Sequence, residues 1–318
     1  MFASLAAAVF LSSPSITELG EADALKDGGA CEEAVLRYEN VVKTYPDGHE
    51  APIARYNQGV CFEELAAPEA ALEAYAEVAE MKRADADLRA DARFRSALVL
   101  TALGRDEQAR SALKRLLKSG IEDPARAVVE VQVAWLDAEQ GRSHPAAERL
   151  ARVVPLLEAA HEADERAGLH VPLATASVAM GDLIARRALE TPLRGKPDAY
   201  RARLDSVGES AGIAESHYVA AMQRKDPTWA SAAALHLATL YIAFHGIVAS
   251  ERTRLGAERP LGWTVGETRA TAAWLGDRLA PLRHRARMAL TLCSDIAART
   301  GTNRFTTECE KALGEPPF

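Results

Sequence analysis

The side chains best suited to chemistry in this 318-residue chain are eight histidines, four cysteines and a scatter of paired carboxylates. Histidine can hold a metal ion or move a proton, but either role needs companions at a fixed spacing. His236 and His245 stand nine residues apart, on opposite faces of one helix, and cannot share an ion. His161 and His170 flank a helix break without the H-E-x-x-H pattern of a helical zinc site. The adjacent pairs Glu32/Glu33 and Glu63/Glu64 point to different sides of their helices, as carboxylates on a solvated face do. No G-x-S-x-G elbow, phosphate-binding loop or dinucleotide fingerprint occurs. An enzyme site in the C-terminal half would have to use His217, Tyr218 and Trp229, which supply no set of acid, base and nucleophile. The expectation is a non-enzymatic chain with no catalytic residue, cofactor or metal site.

The cysteines carry a stronger signal. Cys31 and Cys61 are centred on Pro46, and Cys293 and Cys309 on Gly301, and both centres are breakers between helical runs. Residues equidistant from the turn of an antiparallel hairpin lie opposite each other. Helices packed about 8–10 Å apart bring facing Cα atoms into the disulfide range of about 4.4–6.8 Å. Two bridges, Cys31–Cys61 and Cys293–Cys309, are therefore expected, and the lack of any C-x-x-C pair argues against zinc at these thiols. Disulfides belong to oxidising compartments. The opening "MFASLAAAVFLSSPS" has the length and apolar run of a signal peptide over residues 1–15, with Ser13 and Ser15 as a small-x-small cleavage site, although no Lys or Arg precedes the run. A periplasmic or envelope location is the expectation; the alternative is a cytoplasmic adaptor with free thiols.

The elements that must position these residues are helices. Alanine is abundant, aromatic residues make up only 6%, and 26% of residues are charged, a profile that favours close helix packing over a strand-rich core. A net charge of −7 without a Lys/Arg block disfavours nucleic-acid capture. Beyond the N-terminus no segment approaches the roughly 18 consecutive apolar residues of a membrane span, so no transmembrane span is expected.

A repeat organises the first half. Ala34, Ala71, Ala109 and Ala147 are spaced by 37, 38 and 38 residues, and each opens a helix whose positions four, seven and eight residues on are mostly apolar, such as Tyr38, Val41 and Val42 or Ala151, Val154 and Pro155. Gly59, Ala97 and Ala134 lie twelve or thirteen residues upstream, on a partner helix beyond the breakers "LAAPE", "LGRDE" and "QGRSH". One such hairpin cannot bury its apolar face alone, so neighbours must stack. Pro155 is expected to kink or end its helix.

The stretch "ARYNQGVCFEELAAPEAALEAYAEV" resembles a tetratricopeptide repeat, with Tyr56, Asn57, Gly59, Phe62, Ala71 and Tyr75 at favoured positions, joined by Ala34, Tyr38 and Pro46 of the preceding unit. The likeness is good across residues 17–82 and weaker, in register, to about 160. It implies an all-α solenoid of about four hairpins over 16–160. Beyond that the apolar segments lengthen between the turns "ETPLRGKP" and "KDPTW", which predicts a C-terminal region of long helices over 161–318 with a loop near 251–266. The likeness also implies a concave face lined by the first helices, where Tyr56 and Asn57, Phe94 and Arg95, and Gln132 and Trp135 would contact a helix or extended peptide. The partner is then a protein of unknown identity. The C-terminal half, in "AESHYVAAMQRKDPTWASAAALHLATLYIAFHGIVA" and the closing cysteine hairpin, resembles envelope repeat proteins associated with gliding motility in deltaproteobacteria, which implies a scaffold role.

Overall fold

The computed structural model describes residues 13–166 and 168–314. The apolar segment 1–12, where most of the expected leader falls, lies outside the described residues. Thirteen helices and no strand are present among the described residues, an all-α tetratricopeptide-like fold. The chain divides into two compact units, Met1–Ile121 and Glu122–Phe318.

The first unit holds three hairpins: α1 (Pro14–Asp27) with α2 (Cys31–Thr44), α3 (Glu50–Glu64) with α4 (Pro68–Glu80), and α5 (Ala86–Ala102) with α6 (Asp106–Leu116). Their starts follow local chemistry. Proline occupies the first turn of α1 and α4, where its missing N–H costs nothing, and the Asp85 carboxylate accepts the Leu88 N–H at the head of α5. Each hairpin closes through a residue with φ near +50 to +80°: Gly29, Ala66 and Gly104. Five residues after each comes a fully buried alanine, Ala34, Ala71 and Ala109.

The second unit opens with a fourth hairpin, α7 (Ala125–Glu139) and α8 (Ser143–Ala163), whose turn uses Gly141 in the same left-handed conformation. Five residues on is Ala146, fully buried, while Ala147 is exposed. The repeat register is therefore 37, 38 and 37, and the inward face of α8 is Ala146, Leu150, Val153 and Leu157. This corrects the expected face by one residue and brings Ala134 to twelve residues before the repeat alanine, the spacing of Gly59 to Ala71 and of Ala97 to Ala109. It also leaves Ala151 and Pro155 on the outside, and α8 continues through Pro155 as one helix.

Five further helices complete this unit: α9 (His170–Leu189), α10 (Pro197–Gln223), α11 (Pro227–Ala257), α12 (Val265–Thr300) and α13 (Arg304–Gly314). The Asp226 carboxylate caps α11, and Thr264 with Glu267 forms a capping box on α12. The expected loop is shorter than 251–266, because α11 runs on to Ala257; the exposed Arg252 and Arg254 side chains there mark a solvated helix face. Trp263 anchors the remaining loop, donating its indole N–H to the Gly195 carbonyl (3.0 Å) and packing edge-on against Tyr200. By length and composition α11 could cross a membrane, but 56% of its most apolar stretch is buried within the unit, as in a core helix.

Both expected disulfides are present. Cys31–Cys61 joins α2 to α3 with Cα atoms 5.1 Å apart, and Cys293–Cys309 joins α12 to α13 at 6.2 Å.

Candidate functional site

One arrangement of side chains recurs three times. The Tyr38 hydroxyl donates to Asp23 (2.7 Å), and the Asn57 amide donates to the same oxygen (2.8 Å). The Tyr75 hydroxyl donates to Glu63, whose same oxygen lies 3.5 Å from Arg95. The Tyr218 hydroxyl donates to Asp182 (2.8 Å), and His236 Nδ1 lies 2.7 Å from the same oxygen. Each time the carboxylate stands on the first helix of a hairpin, the tyrosine on the second, and the third group on the first helix of the next hairpin. Burial, together with the adjacent carboxylate, pushes all three phenols above their ordinary pKa.

These networks decide what the expected binding residues can do. Asn57 is committed to Asp23. Tyr56 donates to Asp91 and is pushed up to about 12 by burial and that carboxylate. Burial opposes the charge on Arg95, but Glu63 beside it holds the guanidinium above its ordinary pKa. Phe94 is half-buried on α5. These four residues share the first unit, with Tyr56 and Arg95 in one polar cluster. Gln132 and Trp135 differ, because α7 is buried continuously from Val129 to Ala138. Trp135 is fully enclosed, edge-on to Trp229 (centroids 5.1 Å) and to Phe305 (6.4 Å). The expectation that Gln132 and Trp135 face a partner is therefore corrected: both belong to the core of the second unit. Tyr218 is tied to Asp182 and Trp229 to the aromatic cluster, and the two are linked through His236, whose ring centroid lies 6.2 Å from Tyr218 and 6.3 Å from Phe305; the His217 pKa is lowered by burial.

Two features of the second unit escaped the sequence reading. The first is an open trough of about 670 Å³ between α8 and α9, with Ala151, Val154 and Pro155 on one wall and Met180, Leu183 and Ile184 on the other. His144, Arg186 and Arg187 stand at its edge with Glu190. The second is a cleft of about 390 Å³ in which Glu139, Asp182 and His236 converge from α7, α9 and α11, with Tyr218 and Glu308 beside them. Burial opposes protonation of His236, but Asp182, with Glu139 and Glu308 beyond it, raises its pKa to about 9. The sequence did hold a signal for this region. Ala214, Tyr218 and Ala221 repeat the offsets of Ala34, Tyr38 and Val41, and of Ala71, Tyr75 and Val78.

Residues 91–119, the third hairpin, match the tetratricopeptide repeat family. That repeat thus has a sequence match in α5 and α6, where the expected likeness was the weaker, and the match does not distinguish a gliding-motility relative from any other. No curated protein matches the chain by sequence. Among solved structures, a tetratricopeptide repeat protein from Parabacteroides merdae is 15% identical, covers 95% of this chain and 98% of its own, and has a TM-score of 0.49. The Pseudomonas aeruginosa pilF protein is 15% identical, covers 74% and 97%, with a TM-score of 0.41. PilW, a type IV pilus biogenesis factor, is 13% identical over 82% and 99%, with a TM-score of 0.41. None of the three carries a functional argument for this chain.

Proposed function

We propose that the protein is a non-enzymatic protein-interaction scaffold of an oxidising envelope compartment, and that the α8–α9 trough of its second unit receives a helix from a partner. The observation that carries this reading is the trough itself, an apolar channel open to solvent between two helices whose inward faces are already satisfied. Its walls would bury the apolar stripe of an amphipathic helix, and the basic groups at its edge favour acidic residues flanking that stripe. The strip on α3 and α5 suits this role less, because Tyr56, Asn57 and Arg95 spend their hydrogen bonds internally. The bridges support the compartment, since each joins helices that a reducing cytosol would leave unlinked.

The test is site-specific crosslinking in the native host, comparing wild type with Leu183→Asp and Arg95→Glu. Loss of one crosslinked partner with Leu183→Asp alone supports the trough. Loss with Arg95→Glu alone moves the interface to the first unit, and capture unaffected by either retires both surfaces. Intact-mass measurement of native material checks the compartment: two bridges lower the mass by four hydrogens.

A further inference from the structure

The cleft at Glu139, Asp182 and His236 is chemically unlike its counterpart in the first unit. There the carboxylate Glu63 meets Arg95, which cannot ligate a metal. Here the corresponding place is taken by an imidazole, and a second carboxylate converges on it. His236 Nδ1 lies 2.7 Å from Asp182 and 3.9 Å from Glu139, and one ligand-type atom from each of the three residues falls within 4.8 Å of the other two. The second Asp182 oxygen, Oδ2, is buried without a hydrogen-bond partner, which is a cost unless something occupies it. Glu308 adds a further negative group, while Arg186, which also lines the cleft, donates to the Ala138 carbonyl (3.1 Å). Arg186 keeps its charge in that bond, so the local balance is three carboxylates against one guanidinium and one imidazole.

From this geometry we propose that Glu139, Asp182 and His236 bind a divalent transition-metal ion, with zinc as the reference ion. One nitrogen and two carboxylate ligands suit zinc, and three protein ligands leave a fourth position open to solvent or to a partner's side chain. The three helices are successive first helices of the second unit, so the ion would tie α7, α9 and α11 together at one point. Tyr218, donating to Asp182 Oδ1, would fix the carboxylate from behind as an outer hydrogen-bond partner. With all four cysteines in disulfides, no thiolate competes for the ion.

The experiment uses the full chain with both bridges intact, stripped with chelator, then titrated with Zn²⁺ by calorimetry and with Co²⁺ by visible absorption. The expected result is one equivalent of each ion, with cobalt bands of a nitrogen–oxygen site. Asp182→Asn should abolish uptake, Glu139→Gln should weaken it at least about tenfold, and Tyr218→Phe by about tenfold. Glu139 is at the rim of the cleft, a quarter exposed, so its variant tests the site even if Asp182→Asn fails to fold. Absence of saturable uptake would overturn the proposal. So would stoichiometric uptake unchanged in Glu139→Gln, which would place the ion elsewhere.

Discussion

The two units solve one structural problem with different chemistry. In both, a buried tyrosine needs an acceptor for its hydroxyl, a carboxylate supplies it, and a third group balances the carboxylate. The first unit uses Asn57 and Arg95, a neutral amide and a permanent cation. The second uses His236, whose charge depends on pH and whose ring can also ligate. The lesson is that the tyrosine and carboxylate are scaffold, shared by three hairpins while the third and fourth place Leu113 and Leu150 at the tyrosine's position, and the third group is where a unit can acquire a property. The contrast is convenient to measure, because all four tryptophans, Trp135, Trp229, Trp263 and Trp274, lie in the second unit. Tryptophan fluorescence reports that unit alone, and far-ultraviolet circular dichroism reports both.

The largest expected difference comes from the bridges. They close loops of 30 and 16 residues, for which the chain-entropy estimate is about 3–4 kcal/mol each. Cys293→Ala with Cys309→Ala should lower the fluorescence-detected urea midpoint sharply, because α13 carries Phe305 against Trp135 and Trp229. Cys31→Ala with Cys61→Ala should leave that midpoint nearly unchanged and shift only the dichroism transition. Equal shifts in both signals would show that the units unfold together.

Next is the pH response of the chelated, metal-free protein. The His236 pKa is raised to about 9 in the folded state, from about 6.5 unfolded, so its contribution is fully present below about pH 6.5. It is lost as pH rises through about 9, an effect on the order of 2–3 kcal/mol. The groups facing the ring are Glu139 from α7, Asp182 from α9, Tyr218 from α10 and Glu308 from α13, and the tyrosine stays protonated across this window. The fluorescence midpoint should therefore fall between pH 6.5 and 9 in wild type and stay flat in His236→Gln. Arg95 keeps its charge throughout, so no matching fall is expected from the first unit's triad.

A smaller effect tests the shared scaffold. A Cβ at Gly59 would stand 2.7 Å from the Tyr75 ring, and at Gly181 2.6 Å from the Tyr218 ring. Overpacking costs about 1–3 kcal/mol, and the gain in helix propensity returns about 1 kcal/mol. Gly59→Ala and Gly181→Ala should each lose up to about 2 kcal/mol by urea unfolding. Gly212→Ala, with nothing within 4 Å, should not lose stability.

What was legible in the sequence was local. The hairpins and both bridges depend on spacing about a nearby turn, and a turn can be read from a proline or a glycine. The register of α8 slipped because Ala146 and Ala147 are the same residue type, and the left-handed Gly141 five residues upstream is what distinguishes them. Trp135 is expected at the concave face from its place on a first helix; it instead fills the space against Trp229 and Phe305, residues far along the chain. The His236 cluster was invisible for the same reason, since His236 meets Asp182 across 54 residues of sequence. The trough could be seen only once α8 was known to turn Ala151 and Pro155 outward.

The smallest effect concerns the turns that set this register. Gly29, Gly104 and Gly141 adopt a positive φ, and Ala66 does so at the equivalent place in the second hairpin with φ 53°. A side chain in that conformation costs about 1–2 kcal/mol, while glycine costs some backbone entropy on folding, so Ala66→Gly should stabilise the first unit by about 0.5–1 kcal/mol. Gly104→Ala is its mirror image, because a Cβ there meets nothing within 4 Å and the conformation alone is penalised. Measured by dichroism in urea, the two changes should be opposite in sign and similar in size. If Ala66→Gly lowers stability, neighbouring contacts must hold the alanine, and the turn of the second hairpin would have to be treated as different in kind from those of the first, third and fourth.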